Sequence, residues 1–99
     1  MNTKVEKFIR DHGRPVGVDF PANALSLPKA RELVFLLREE GMNLVGMEPW
    51  HSFATGYEVD GAKSWYVDDL AASRVWEDAI EYLDSKWLSD NDLIVVEYD

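Results

Sequence analysis

The sequence predicts a single α+β domain over residues 1–99, an antiparallel or mixed sheet of about four strands packed against two or three helices. Three observations carry this. Apolar residues recur at helical spacing in three separate stretches. Runs of β-branched and aromatic residues, bounded by Gly, Pro and Asp, lie between and after them. Ninety-nine residues are enough for one hydrophobic core and too few for two.

The first helix is read over Met1 to His12, where Val5, Phe8, Ile9 and His12 fall at spacings of three and four. Gly13 ends it, and Pro15 follows at the usual distance. Pro15–Phe20 is apolar and extended, a short strand or a docked segment, and Pro21 then turns the chain into a loop. Ser26 is an N-cap for the second helix, with Pro28 in its first turn, where a missing N–H costs nothing. Ala30, Leu33, Val34 and Leu37 form its inward stripe, with Leu27 one turn earlier. Phe35 and Leu36 widen the stripe, so this helix is expected to be covered on two sides. Gly41 ends it.

Three consecutive strands are expected next, at Asn43–Trp50, Ser52–Val59 and Lys63–Val67. Asp60-Gly61 is read as the hairpin turn between the second and third, because both residues tolerate positive φ. Pro49 places the end of the first strand at a sheet edge or a bulge. From about Asp68 the chain turns helical, with Trp76, Ile80, Leu83 and Trp87 recurring at four, three and four. Leu93–Tyr98 is a final strand, and its apolar run Leu93–Val96 suits a central position.

Composition narrows the function classes. With 46% hydrophobic and 29% charged residues the chain is globular. It has no cysteine, which favours a reducing cytoplasm, and no apolar run long enough to span a membrane. The first residues alternate charged and apolar types, unlike a signal peptide, so a cytoplasmic location is expected. The net charge is −9 and is segregated: residues 1–57 hold seven acids and seven bases, whereas residues 58–99 hold twelve acids against Lys63, Arg74 and Lys86. Such a field repels nucleic acid and favours a basic partner.

Catalytic patterns are sparse. Gly13 and Gly17 form no phosphate loop, and the serines lie in no nucleophile elbow. His12 and His51 belong to no metal-binding spacing. A Glu48–His51 corner with a third carboxylate is the one pattern that suggests a ligand site, and it needs a bulge at Pro49 to bring both side chains to one face; His51 is otherwise read as a surface histidine. No cofactor, metal or catalytic residue is assigned, and the chain is read as a binding protein rather than an enzyme.

The aromatics point to an interface. Trp50, Phe53, Tyr57, Trp65 and Tyr66 crowd the proposed strands, more than one helix layer readily covers, and Trp and Tyr anchor protein interfaces. Trp65 and Tyr66 are adjacent, so one faces the core and the other faces away. Bordered by Glu48, Glu58, Asp60, Asp68 and Asp69, such rings make apolar anchors with an acidic rim.

Several short motifs also resemble a known family. Val16-Gly17-Val18-Asp19-Phe20 and Asn23-Ala24-Leu25-Ser26 precede the apolar helix and Gly41. Leu44-Val45-Gly46-Met47-Glu48, the Tyr57–Gly61 segment, Ser64-Trp65-Tyr66-Val67-Asp68 and Ala79-Ile80-Glu81-Tyr82-Leu83 follow. This order, over about Val16 to Trp87, resembles the immunity-protein-forty family of bacterial polymorphic toxin systems, small α+β proteins that protect a cell by binding a cognate toxin. Where that family favours Gly-Gly-Asp, this chain has Gly46-Met47-Glu48. The resemblance implies an intracellular inhibitor that occludes a basic toxin or effector. The expected contact residues are Glu48, Trp50, His51, Tyr57, Glu58, Asp60, Trp65 and Asp68. The alternative is a structural or regulatory homo-oligomeric subunit, such as a dimer joined by sheet extension along Leu93–Val96 or by Trp76 and Trp87.

Overall fold

The computed structural model describes residues 2–17, 22–53, 56–68 and 73–99. Helix α1 (Thr3–His12) starts at Asn2, whose side chain accepts the Val5 N–H at 3.0 Å. Strand β1 (Arg14–Val16) follows, then β2 (Ala22–Ser26). The extended reading of Pro15–Phe20 holds as far as Val16, and residues 18–20 lie outside the described residues. The loop expected between Pro21 and Ser26 is instead strand β2, because its backbone is claimed on both sides, by β1 through Ala22–Ala24 and by the C-terminal strand through Leu25 and Ser26.

Helix α2 (Leu27–Glu39) runs directly on from β2, with Pro28 in its first turn; Ser26 occupies the N-cap position but makes no side-chain capping bond. Its C-terminus closes as a Schellman motif. Gly41, at φ +70°, bonds to Arg38 C=O, and Met42 N–H bonds to Leu37 C=O at 2.9 Å.

Strands β3 (Leu44–Phe53), β4 (Gly56–Val59), β5 (Trp65–Tyr66) and β6 (Leu93–Tyr98), with helix α3 (Val75–Leu83), complete the fold. All pairings are antiparallel, in the order β1-β2-β6-β3-β4 with β5 also on β3, six strands where about four were expected. The extra strands are the short β1 and β2; β5 is the predicted Lys63–Val67 strand, shortened to two residues. β6 is central, as its apolar run suggested: β3 pairs along Leu93–Tyr98 on one edge, and β2 pairs with Leu93 and Ile94 on the other, so these two residues cannot extend a sheet across a dimer.

The hairpin is not where Asp60-Gly61 predicted it. Phe53 pairs with Gly56, so the chain reverses between them, inside the segment read as one strand; Gly56 sits at φ +135°. Asp60-Gly61 instead opens a 3-10 turn (Gly61–Lys63) that carries the chain from β4 to β5. Both strands lie on the same edge of β3, opposite Trp50–Phe53 and Gly46–Met47 respectively, as two pieces of one interrupted edge strand. Pro49 lies within β3 rather than at its end. Its C=O accepts from Asp60 at 2.8 Å, so its nitrogen faces the interruption, where no strand residue stands to receive an N–H.

Three helices cover one face of the sheet, with α2 between α1 and α3. Val5, Leu25, Leu33, Leu37, Met47 and Ile94 lie at the centre of this core. Strand alternation sends Gly46, Glu48, Trp50, Tyr57, Val59, Tyr66, Leu93, Val95 and Glu97 to the other face. That face is partly closed, since Arg14 on β1 donates to the Tyr57 hydroxyl on β4 at 2.9 Å and so joins the first and last strands of the sheet. Val16 and Ala24 are buried although they stand apart from the helix-side core.

α3 ends at Leu83, short of Trp87. The chain tightens there, with Ser85 N–H bonding to Tyr82 C=O, and Trp87 leaves the helical stripe to stand 63% exposed. Among the described residues, no helix is long and apolar enough to cross a membrane.

Candidate functional site

The eight residues proposed for partner binding do not form one patch. Because neighbours on a strand face opposite ways, β3 sends Glu48 and Trp50 to the open face of the sheet and His51 to the helix side. Tyr57 joins the open face, held by Arg14, while Glu58 stands opposite His51 on the exposed edge strand. Trp65 faces the core and stacks on Tyr82, ring centroids 6.1 Å apart. Asp68 is exposed just beyond β5.

His51 is not the surface histidine expected. Its side chain is 29% exposed and is gripped at both ring nitrogens, Nδ1 by Asp92 at 2.5 Å and Nε2 by Asp60 at 2.9 Å. Asp92, at 2% exposure the buried acid among the described residues, also accepts the Ser89 N–H at 2.8 Å. The hydrogen bond to Asp60, then that to Asp92, holds the imidazole pKa above its ordinary value in spite of desolvation, and the same bond holds the Asp60 carboxyl below its own. An imidazolium that donates from both nitrogens ties β3, the end of β4 and the loop before β6 together. With both nitrogens taken it offers no lone pair to a metal or a substrate proton.

The Glu48–His51 corner is thereby overturned: no bulge at Pro49 rotates the pair together, and Glu48 accepts a hydrogen bond from the Tyr66 hydroxyl at 2.8 Å on the opposite face. Among the described residues, no group of three acids and histidines is arranged to hold a metal ion. Asp92 was the member missed from sequence. It is 41 positions from His51, and nothing in its neighbourhood distinguishes it from the other acids of the C-terminal region.

On the open face the acids cluster. Glu48 and Glu97 share a hydrogen bond that raises the Glu97 carboxyl pKa, and the bond to Glu48 raises that of the Tyr66 phenol. Tyr66 is 52% exposed above them. The Trp50 indole N–H is buried on this face without a hydrogen-bond partner. Neither Tyr66 nor Glu97 was among the predicted contacts, although the alternation of Trp65 with Tyr66 required one ring to face outward.

Compared with known proteins, the chain matches no family model and no curated protein.

Proposed function

We propose that this protein is an intracellular inhibitor that binds a basic protein, a toxin or similar effector, and masks its active surface with the open face of the sheet. The observation that carries this reading is the position of Tyr66. A half-exposed ring is held rigidly on β5 by its bond to Glu48, with Glu97 beside it. A rigid aromatic anchor bordered by acids suits a positively charged partner. Glu48, Trp50 and Tyr57 of the predicted contacts share this face, whereas His51 and Asp60 serve the internal clamp. The segregated charge supplies long-range attraction, and the resemblance to immunity proteins supplies the use, occlusion without catalysis.

The test is affinity capture from native lysate with the intact protein and with Tyr66→Ala, at about 50 mM and about 500 mM salt to bracket electrostatic screening. A stoichiometric basic protein, retained at low salt, released at high salt and lost by the variant, supports the reading. A partner bound equally by the variant, or an acidic partner indifferent to salt, overturns it.

A further inference from the structure

A second aromatic surface lies on the other side of the molecule, where β5, α3 and the segment after α3 meet. Trp65, Tyr82 and Trp87 line a shallow recess of about 370 Å³, with Asp78, Glu81 and Ser85 completing its wall. Tyr82 is fixed from below, its hydroxyl donating to Lys63 C=O at 2.8 Å and its ring stacked on Trp65 at an interplanar angle of 24°. Trp87 is the most exposed large hydrophobic residue of the described chain, at 63%. The Ser85 hydroxyl is buried there without a hydrogen-bond partner.

The recess therefore combines ring faces and two carboxylates, the groups that bind an organic cation. A guanidinium already answers to them. Arg74 reaches Asp78 at 3.9 Å and Glu81 at 3.6 Å, both beyond hydrogen-bonding distance, and its own side chain stays 62% exposed. Arg74 is thus held only loosely at the acidic wall. The recess is too open to enclose a small molecule but has the volume to take one side chain, and the planar guanidinium both stacks on indole and bridges carboxylates.

We infer that the Trp65–Tyr82–Trp87 recess takes an arginine side chain presented by a basic protein partner, with Asp78 and Glu81 neutralising it. This rests on the partner being basic, but it is tested without that partner. The probe is the tripeptide N-acetyl-Arg-Arg-Arg-amide, titrated into the full chain at low salt while the four indole N–H signals are followed by NMR. The control is the tripeptide of citrulline, which has nearly the same shape and no charge.

The expected result is saturable movement of the Trp65 and Trp87 signals with the arginine peptide and none with citrulline. Trp87→Ala weakens binding about two- to fivefold, the range of an exposed cation–π contact. Asp78→Asn with Glu81→Gln also weakens it, and Arg74→Gln, by removing the internal competitor, strengthens it. Equal shifts with citrulline, or binding indifferent to both Trp87→Ala and Arg74→Gln, overturns the inference. If the Trp50 signal moves instead, the cation goes to the open sheet face; the recess then fails as a site while the proposed function stands. If no signal moves, the recess fails alone, provided that capture remains sensitive to Tyr66→Ala.

Discussion

The ring of Tyr66 lies directly over Gly46, its cross-strand partner: a Cβ placed on Gly46 would come within 2.5 Å of Tyr66 Cδ1 and 2.8 Å of the Trp65 carbonyl oxygen. A glycine within a strand ordinarily weakens it. Here its missing side chain is replaced by a neighbour's ring, which covers the bare backbone and aims the phenol at Glu48. Gly46→Ala is expected to cost about 1–3 kcal/mol, the usual penalty of overpacking, read as a lower midpoint in urea unfolding. In a Tyr66→Ala background the same substitution costs less. An equal cost in both backgrounds would show that the ring is not the obstacle.

The His51 clamp predicts a loss by the opposite route, the removal of a side chain. His51→Ala leaves the Asp92 carboxylate buried at 2% exposure without its counter-ion. Destabilisation on the order of 2–3 kcal/mol is expected, because an orphaned buried charge costs more than a missing contact. Asp92→Asn in the same background recovers part of it, and a double-mutant cycle in chemical denaturation measures the coupling.

The clamp also sets a pH dependence. The folded imidazole pKa lies above its ordinary 6.5, so its contribution is complete below about pH 6.5 and disappears as pH rises through the folded value. Asp60, held below its ordinary 3.8, contributes above that pH and loses its contribution as pH falls through its folded value. Between these limits both groups are charged and the clamp is at full strength. Unfolding free energies measured from pH 5 to pH 9 should decline on the alkaline side in the wild type, and this decline should flatten in His51→Gln. An identical slope in the variant would assign the pH dependence to other groups.

Glu97 works in the opposite sense. Its carboxyl pKa is raised from 4.5, chiefly by the hydrogen bond shared with Glu48, so its ionisation above that pH opposes folding. Glu97→Gln is expected to stabilise the protein at neutral pH by a few tenths to about 1 kcal/mol, the range of cross-strand side-chain pairs, of which Glu48 and Glu97 are a diagonal one, and to have little effect near pH 4. Thermal melts at the two pH values decide it; a variant less stable than the wild type at pH 7 would contradict the like-charge account.

Several elements were legible in the sequence because their signals are local. The stripe of α2 and its end at Gly41 follow from apolar spacing and from one residue that adopts positive φ without strain. The central place of β6 accords with Leu93–Val96, an apolar run suited to a strand with neighbours on both edges, although Leu93 and Val95 stay half-buried on the open face. The opposed directions of Trp65 and Tyr66 follow from strand geometry alone. The hairpin was misplaced because two turn signals, Gly56 and Asp60-Gly61, lie close together, and the strand that β4 pairs with decides which of them reverses the chain. Strand β2 was missed because it carries no strong β signal, and it is ordered by hydrogen bonds to β1 and β6.

By itself the sequence determined the α+β class, the three helices, the concentration of negative charge after residue 57 and the presence of more aromatic surface than the core needs. Tertiary structure alone decided how those residues are grouped. It paired His51 with an aspartate 41 positions away, divided the eight predicted contacts between two faces, and left Trp87 exposed beside Trp65 and Tyr82. The physical reason is one of range. Periodicity and backbone preference act over a few residues and are written in local order, whereas ion pairs and shared recesses form between segments whose separation along the chain carries no signal until the sheet brings them together.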